Sequence, residues 1–571
     1  MLVAGSFRPN GSDAVTLIVD DFSGLNPTRI AKVVTPRTVS ELQKLVLEAQ
    51  ALDLPLVACG QRHSQGGHAL YPGAMLVDMR LLNAVLEIDL TGRTLRVQAG
   101  ITWAGVQRTL DPMGLAVAVM QSAQIFTVGG SVCVNAHGSD PRYGPLVDTV
   151  IEIVLVVADG RSVKASRTQH RDLFWAACGG YGLIGIIVEV VLVVTLNDTY
   201  RQRATLIATA DYPSFLANQV LSSPGIGLHW GRLSLPPSSD MMDQVLVVTC
   251  EQVEDNDHEM VIQDVVEALS YTGAALLSPF GLARQPDGAE DLVKTLDPCD
   301  ANRSLAHRDP DLLHQRDPDR WDPIYRLAAE GMRRQDPVHR WTFWPRTVLR
   351  ELVPWTSSRN SLMQHPVGFL EYHSPDDADV LQSYLVPFES FSTFVDVLRK
   401  SLSNDHAPEG ARGDQEPSYD RGPRVLFTLV RPIRPESRRD FGRMGTSKTC
   451  LCYATSELIE IVLHLNHGKS QLALTRVQRW TCTLIDAALA LGGTYYLPVR
   501  NVATRSQFRR AYPRAGRKRL MAVKRMWDPS NRFRNQFADC YLFPTVHCKE
   551  RSRRNHDCNL EVLSSLDKSH S

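Results

Sequence analysis

The chain has 571 residues, with 62 Lys and Arg balanced by 62 Asp and Glu, and 43% of its residues are hydrophobic. Charge parity argues against a nucleic-acid partner or an anionic membrane surface, and the length allows roughly three or four domain-sized units. The N-terminus lacks a basic stretch followed by a long apolar run. The run GLIGIIVEVVLVVTL at 182–196 is too short for a bilayer and carries Glu189, so no transmembrane segment is expected and the cytosol is the default compartment.

Eleven cysteines scattered singly do not resemble a disulfide framework in so long a chain. The close pair Cys450-Leu-Cys452 reads as buried, reduced thiols. The tail segment HCKERSRRNHDC at 547–558 reads as part of a disordered end, 546–571.

From Asn26 to Asn197, strand and helix signals alternate. TRIAKVV reads as a short strand. Thr38 and Glu41 have capping-box spacing ahead of a helix whose apolar face is Leu42, Leu45, Val46 and Ala49. LPLVACG is the next strand and runs directly into the loop CGQRHSQGGHALYPG (59–73). Strands follow in AMLVDM, AVLEID and TLRVQAG, then a helix opening near Thr102, then a second glycine-rich loop, QIFTVGGSVCVNAHGSDPRYGP (124–145). DTVIEIVLVVADG is a strand and turn, HRDLFWAACGG a helix closed by glycine, and GIIVEVVLVV a last strand.

Gly180-Tyr-Gly182-Leu-Ile-Gly185 spells a dinucleotide fingerprint, but that device needs a strand before it and a helix after it. Here the order is reversed, so a Rossmann reading fails. In the other two loops, successive N–H groups could form anion-binding nests suited to a diphosphate, or the glycines could simply serve tight turns. Composition leaves both open.

The middle, 198–475, reads as a substrate or cap domain. GLHWGRLSL, QVLVVTCEQV, VGFLEYHSP, VLFTLVRPI and LIEIVLHLN look like antiparallel strands, and LVPFESFSTFVDVLRKSL looks like an amphipathic helix against them. Segments 286–320 and 403–423 read as mobile loops. His464 and His467, three apart on a strand, point to opposite faces, and no metal site is expected.

PLVACGQRHS, the VDM placed fifteen residues after His63, TVGGS with the later YGPLVD, and GGYGLIGII together resemble the FAD-binding domain of the vanillyl-alcohol oxidase/PCMH-type flavoproteins. GGTYYLPVR, FRRAYP and WDPSNRFRNQF resemble the C-terminal segment of that family's sugar and polyol oxidases. The two blocks cover roughly 240 residues, and their order is more specific than any one motif.

The resemblance implies an α+β fold: a two-subdomain PCMH-type FAD domain at 26–197, a cap at 198–475 with an antiparallel sheet flanked by helices, and a segment at 476–545 returning to the FAD domain. It implies FAD held by Gly60, Gln61, Arg62, His63, Ser64 and Gln65 of the first loop and by Thr127, Gly129, Gly130, Ser131, Asn135, His137 and Gly138 of the second, with a backbone contact to adenine near Ile186. His63-Ser64 stands where relatives link a histidine to the flavin 8α-methyl, which implies a covalent bond at His63. Ile125 and Phe126 occupy the place of a second, cysteinyl link. His68 is expected to be an ordinary loop histidine. Arg431 and Arg500 are the candidates for the cation that hydride transfer to flavin needs.

The function so implied is oxidation of a sugar, polyol or lactone-like alcohol, with O2 or another acceptor taking the electrons. The alternatives are a flavin oxidase of a natural-product intermediate and a flavin-free binding protein that kept the fold. The lysine that faces flavin in the ribose-oxidase branch has no counterpart here, where Val499 and Arg500 stand.

Overall fold

A computed structural model describes residues 17–235, 241–253, 354–364, 372–404, 418–436 and 449–543, with isolated positions at 330, 333, 347, 348, 351, 352, 439, 440, 443 and 444. The expected loops at 286–320 and most of 403–423, and the tail at 546–571, lie outside the described residues.

The N-terminal third builds two sheets. Lys32–Val34, Met75–Asp78 and Leu56–Cys59 form a parallel three-stranded sheet, with Met75–Asp78 central. Helix Val39–Ala51 joins two of its strands and buries Leu42, Val46 and Ala49. Thr38 caps that helix by accepting from Glu41 N, but the Glu41 carboxylate accepts from Arg37 N, so only half of the expected capping box forms.

The second sheet is antiparallel, in the order Ser162–Ser166, Val150–Val156, Ile186–Leu196, Thr94–Gln98, Val85–Asp89, with Leu115–Val117 also pairing Ile186–Leu196. TRIAKVV is not one strand. Thr28–Ile30 pairs Leu17–Val19, while Lys32–Val34 joins the parallel sheet, so the chain changes sheets at Ala31. The reversed GxGxxG has the expected order: helix Arg171–Ala177, the glycines, then strand Ile186–Leu196.

The region expected as the cap builds an antiparallel sheet of eight strands, one of which, the edge strand Thr494–Tyr495 beside Asp377–Val386, comes from the C-terminal segment. Ile226–Leu233, Gln244–Gln252, Arg424–Ile433 and Leu458–Gly468 coincide with expected strands. Of the expected strand VGFLEYHSP, 367–371 lie outside the described residues and 372–375 are not strand. The strand here is Asp377–Val386, whose alternation is masked by the polar DAD and QS. Helices Phe391–Asn404 and Gln471–Ala490 cover one face of the sheet, Phe394 packing 5.2 Å from Tyr384. Along Leu458–Gly468 the odd positions Ile459, Ile461, Leu463 and Leu465 are fully buried, while Glu460, Val462 and His464 turn to the opposite face. That second face looks into the site.

The C-terminal segment comes back onto the N-terminal third. Phe533 forms a parallel bridge with Leu56 at the edge of the three-stranded sheet. Lys524 is buried, and its ammonium donates to Leu183 O and Phe533 O, both at 2.8 Å, and to Asp528 at 2.6 Å. A buried ammonium is tolerable only with its donors satisfied in this way. No disulfide forms among the eight described cysteines, and Cys450 and Cys452 are buried.

Candidate functional site

The two glycine-rich loops, the glycines before Ile186 and the free face of the cap sheet enclose one cavity of about 380 Å³, within the range of small-molecule and cofactor sites. Gly60, Gln61, Arg62, His63, Ser64, Gln65, Thr127, Gly129, Gly130, Ser131, Ile186 and Arg431 all line it. Asn135, His137, Gly138 and Arg500 do not.

Those four departures have physical reasons. Asn135 turns its side chain to Glu436 and to Val147 N. A β-carbon on Gly138 would sit 2.7 Å from Met120 O, so its bareness serves packing. His137 is buried behind the cap wall, its Nε2 2.8 Å from Glu460 and its Nδ1 2.8 Å from the Tyr453 hydroxyl. Arg500 is directed to His467 Nε2 at 3.1 Å; burial lowers its pKa to about 10, and the nearby charge of Asp21 opposes that shift.

The loops divide their labour in a way the sequence did not indicate. In the second, Val128 N donates to Ile101 O, Gly129 N to Ala99 O, Gly130 N to Thr127 Oγ1 and Ser131 N to Thr127 O. These four amides are already satisfied and form no nest. In the first loop, the N–H groups of Gln61, Arg62, His63 and Ser64 meet no acceptor among the described residues. Four successive free amides with Arg62 at φ 58° make an anion cradle, and the chain there faces the cavity. This set fits a diphosphate, and so fits FAD.

His63 lies between two rings, stacked on Phe22 at 4.5 Å and tilted against Phe126 at 4.9 Å. Burial, then the charge of Arg62, lowers its pKa to about 4, so the ring is neutral and nucleophilic at ordinary pH. His68 is more than an ordinary loop residue: it is buried, lines the cavity and stacks on Phe537 at 5.1 Å.

The cap wall carries charged groups that sequence reasoning missed. Glu460 accepts from Arg431 Nε at 2.7 Å, from the Ser383 hydroxyl at 2.6 Å and from His137 at 2.8 Å. Burial pushes its carboxyl up, but Arg431 and His137 prevail and hold it well below the usual range. His464 stands four residues on, on the same face of the strand, its Nε2 3.0 Å from Asp379. Asp379 also accepts from Arg333 and Asn466; burial pushes its carboxyl up, but His464 and Arg333 prevail and hold it at about 2. Arg232 enters from strand Ile226–Leu233. Glu460 left a signal, as the one acid inside LIEIVLHLN. Asp379 left none, lying in a polar run.

Comparison with known proteins agrees with this geometry. Residues 30–166 match the model described as FAD binding domain, and residues 491–538 match the one described as berberine and berberine like. Similar proteins include mitochondrial L-galactono-1,4-lactone dehydrogenase of Brassica oleracea, 29% identical over 41% of this chain and 38% of that protein. Cytokinin dehydrogenase 3 of Arabidopsis thaliana is 26% identical over 46% of this chain and 55% of its own length, and alditol oxidase of Streptomyces sp. is 32% identical over 29% and 40%. The chain thus spans well under two thirds of these relatives. Residues 30–166 carry a FAD binding domain, and FAD is the cofactor. No helix among the described residues is long and apolar enough to cross a membrane.

Proposed function

We propose that this protein is a FAD-dependent oxidoreductase that oxidises the carbinol C–H of a sugar, polyol or lactone-like alcohol, with O2 or another acceptor completing the cycle. The observation that carries the reading is the single cavity shared by the free amides of Gln61–Ser64 and the charged cap wall of Arg431, Glu460 and His464. The parallel and antiparallel sheets are read as the two subdomains of the FAD domain, residues 26–197, with the cap at 198–475 and the returning segment at 476–545.

FAD bound there supplies a hydride acceptor. The first loop would hold its diphosphate, Thr127, Gly129, Gly130 and Ser131 would line the opposite wall, and the backbone at Ile186 would contact the adenine. His63, neutral and held between two rings, is the residue positioned to bond the flavin 8α-methyl.

On the cap side, Asp379 takes the His464 Nε2–H, leaving Nδ1 as the basic nitrogen that receives the alcohol proton. Glu460, pinned by three partners, orients Arg431 rather than exchanging protons. Arg431 retains a buried Nη1 with no partner among the described residues, which places an N–H donor beside the reacting groups.

The test is anaerobic mixing of the purified yellow protein with a panel of polyols, aldonolactones and secondary alcohols, followed at the flavin absorbance. Bleaching by one class, reversed by air or an added acceptor, is the expected result. Bound flavin that no alcohol bleaches would overturn the reading.

A further inference from the structure

Among the described residues, Arg232 is a cation with no counter-ion. It lines the cavity, its Nε is buried, and no hydrogen bond or ion pair reaches its side chain among the described residues. The sheet fixes its neighbours. Gly231 pairs Val430, so one step along that antiparallel register sets Arg232 beside Leu429. Leu429 pairs Val462, and Val462 pairs Ser383. Arg232, Leu429, Val462 and Ser383 therefore form one row across four strands, and all four line the cavity. At about 4.8 Å per strand the row is roughly 14 Å long. Cation, apolar middle and hydroxyl succeed one another along it.

The charges of this wall do not cancel without a ligand. Arg431 is neutralised by Glu460, the acid that lines the cavity. Arg232 is left over, a single positive charge at the end of the row away from Ser383. A partly buried guanidinium with an orphaned N–H is costly until an acceptor arrives, and a carboxylate matches it in both charge and fork geometry.

We infer that the substrate is an anion of one charge, a hydroxy carboxylic acid. Its carboxylate rests on Arg232, its carbon chain crosses Leu429 and Val462, and its carbinol reaches the side of the wall held by Ser383, Glu460 and His464. This deepens the alcohol-oxidation reading and rests on it for the fate of the carbinol. The binding of the carboxylate stands by itself.

The probes are gluconate and sorbitol, an acid and a neutral polyol of equal carbon number, added to the holoprotein. Two readouts are kept apart: perturbation of the flavin spectrum for binding, and anaerobic bleaching for oxidation. Gluconate is expected to half-saturate the spectral change at a concentration at least tenfold below that of sorbitol, and that preference is expected to shrink as salt rises. In Arg232→Met the preference should fall to near unity, and in Arg232→Lys part of it should return, each variant being checked for full flavin content first. Equal half-saturation by both probes in the parent protein, or an undiminished preference in Arg232→Met, would overturn the inference. Should gluconate bind preferentially while no alcohol bleaches the flavin, the alcohol-oxidation reading fails and the assignment of Arg232 as a carboxylate site stands.

Discussion

Gly60 and Thr127 lie so close that a β-carbon on the glycine would stand 2.2 Å from the threonine Oγ1 and 2.9 Å from its Cγ2. The end of strand Leu56–Cys59 is thereby pressed onto the N-cap of helix Val128–Cys133, and the first loop leaves that contact with its amides facing the cavity. The clash is with a side chain held by its own hydrogen bond from Gly130 N, so it cannot be relieved by a simple swing.

Gly60→Ala should therefore weaken FAD binding without unfolding the chain. Overpacking of this kind costs about 1–3 kcal/mol, which is roughly 5- to 150-fold in affinity if the loop moves to absorb it. The ratio of flavin to protein absorbance after purification, and titration of apoprotein with FAD, are the measurements. A variant that binds FAD as tightly as the parent would remove the close contact from the account of the site.

For His63, acid precipitation decides whether flavin is bonded. Yellow colour should remain in the pellet of the parent and be lost to the supernatant in His63→Ala. With its pKa at about 4, the ring stays neutral between pH 5.5 and 8, so the extent of attachment on reconstitution with FAD should be flat over that range. An imidazole with an ordinary pKa of about 6.5 would lose roughly tenfold in its neutral fraction at pH 5.5. Colour released from the parent protein would refute the bond while keeping the cofactor.

His464→Gln should lower the rate of flavin bleaching by about 10²- to 10⁴-fold, the usual size of a general-base contribution, with flavin content unchanged. Asp379→Asn should cost less, because it disturbs the tautomer and orientation of His464 without removing the ring. Stopped-flow reduction measures both. If the two variants bleach at the parent rate, the proton goes elsewhere.

Asp21 gives a pH signature. Its carboxylate receives Ser23 N and Oγ, Asn26 Nδ2 and Gly67 N, tying the N-terminal strand to the first loop. Burial raises its pKa to about 6 against those hydrogen bonds. Because the folded value is raised above the ordinary 3.8, its contribution to stability is fully present below pH 3.8 and is lost as pH rises through about 6. The loss amounts to about 3 kcal/mol. The stability difference between the parent protein and Asp21→Asn should thus shift in favour of the variant between pH 4.5 and 7.5, as denaturant midpoints at the two values would show. A difference independent of pH would mean that Asp21 is charged throughout.

Much of the fold was legible because local signals and packing agree. Thr38, Thr102 and Thr127 each cap the helix that follows, and the β-branched run at 186–196 is a strand buried between two neighbours in its sheet. Strand Asp377–Val386 was illegible because Asp379, Gln382 and Ser383 break its apolar alternation, and they do so for partners far off in the chain: Asp379 for Arg333 and His464, Ser383 for Glu460. Arg500 was misplaced for the converse reason. A lone arginine after an apolar strand carries no mark of which way it turns, and here it turns to His467.

What the sequence indicated by itself was where the two glycine-rich loops fall, since glycines at close contacts are demanded by the local backbone and lie within short stretches. Only tertiary structure decided which loop keeps its amides free. The N–H groups of Val128 and Gly129 are claimed by Ile101 O and Ala99 O, some 27 to 30 residues earlier in the chain, while those of Gln61 to Ser64 are left for a ligand. It also decided that Arg232, Arg431, Glu460 and His464 share one wall, because strands distant in sequence become neighbours only through pairing, and a charge is functional or structural according to what stands across from it.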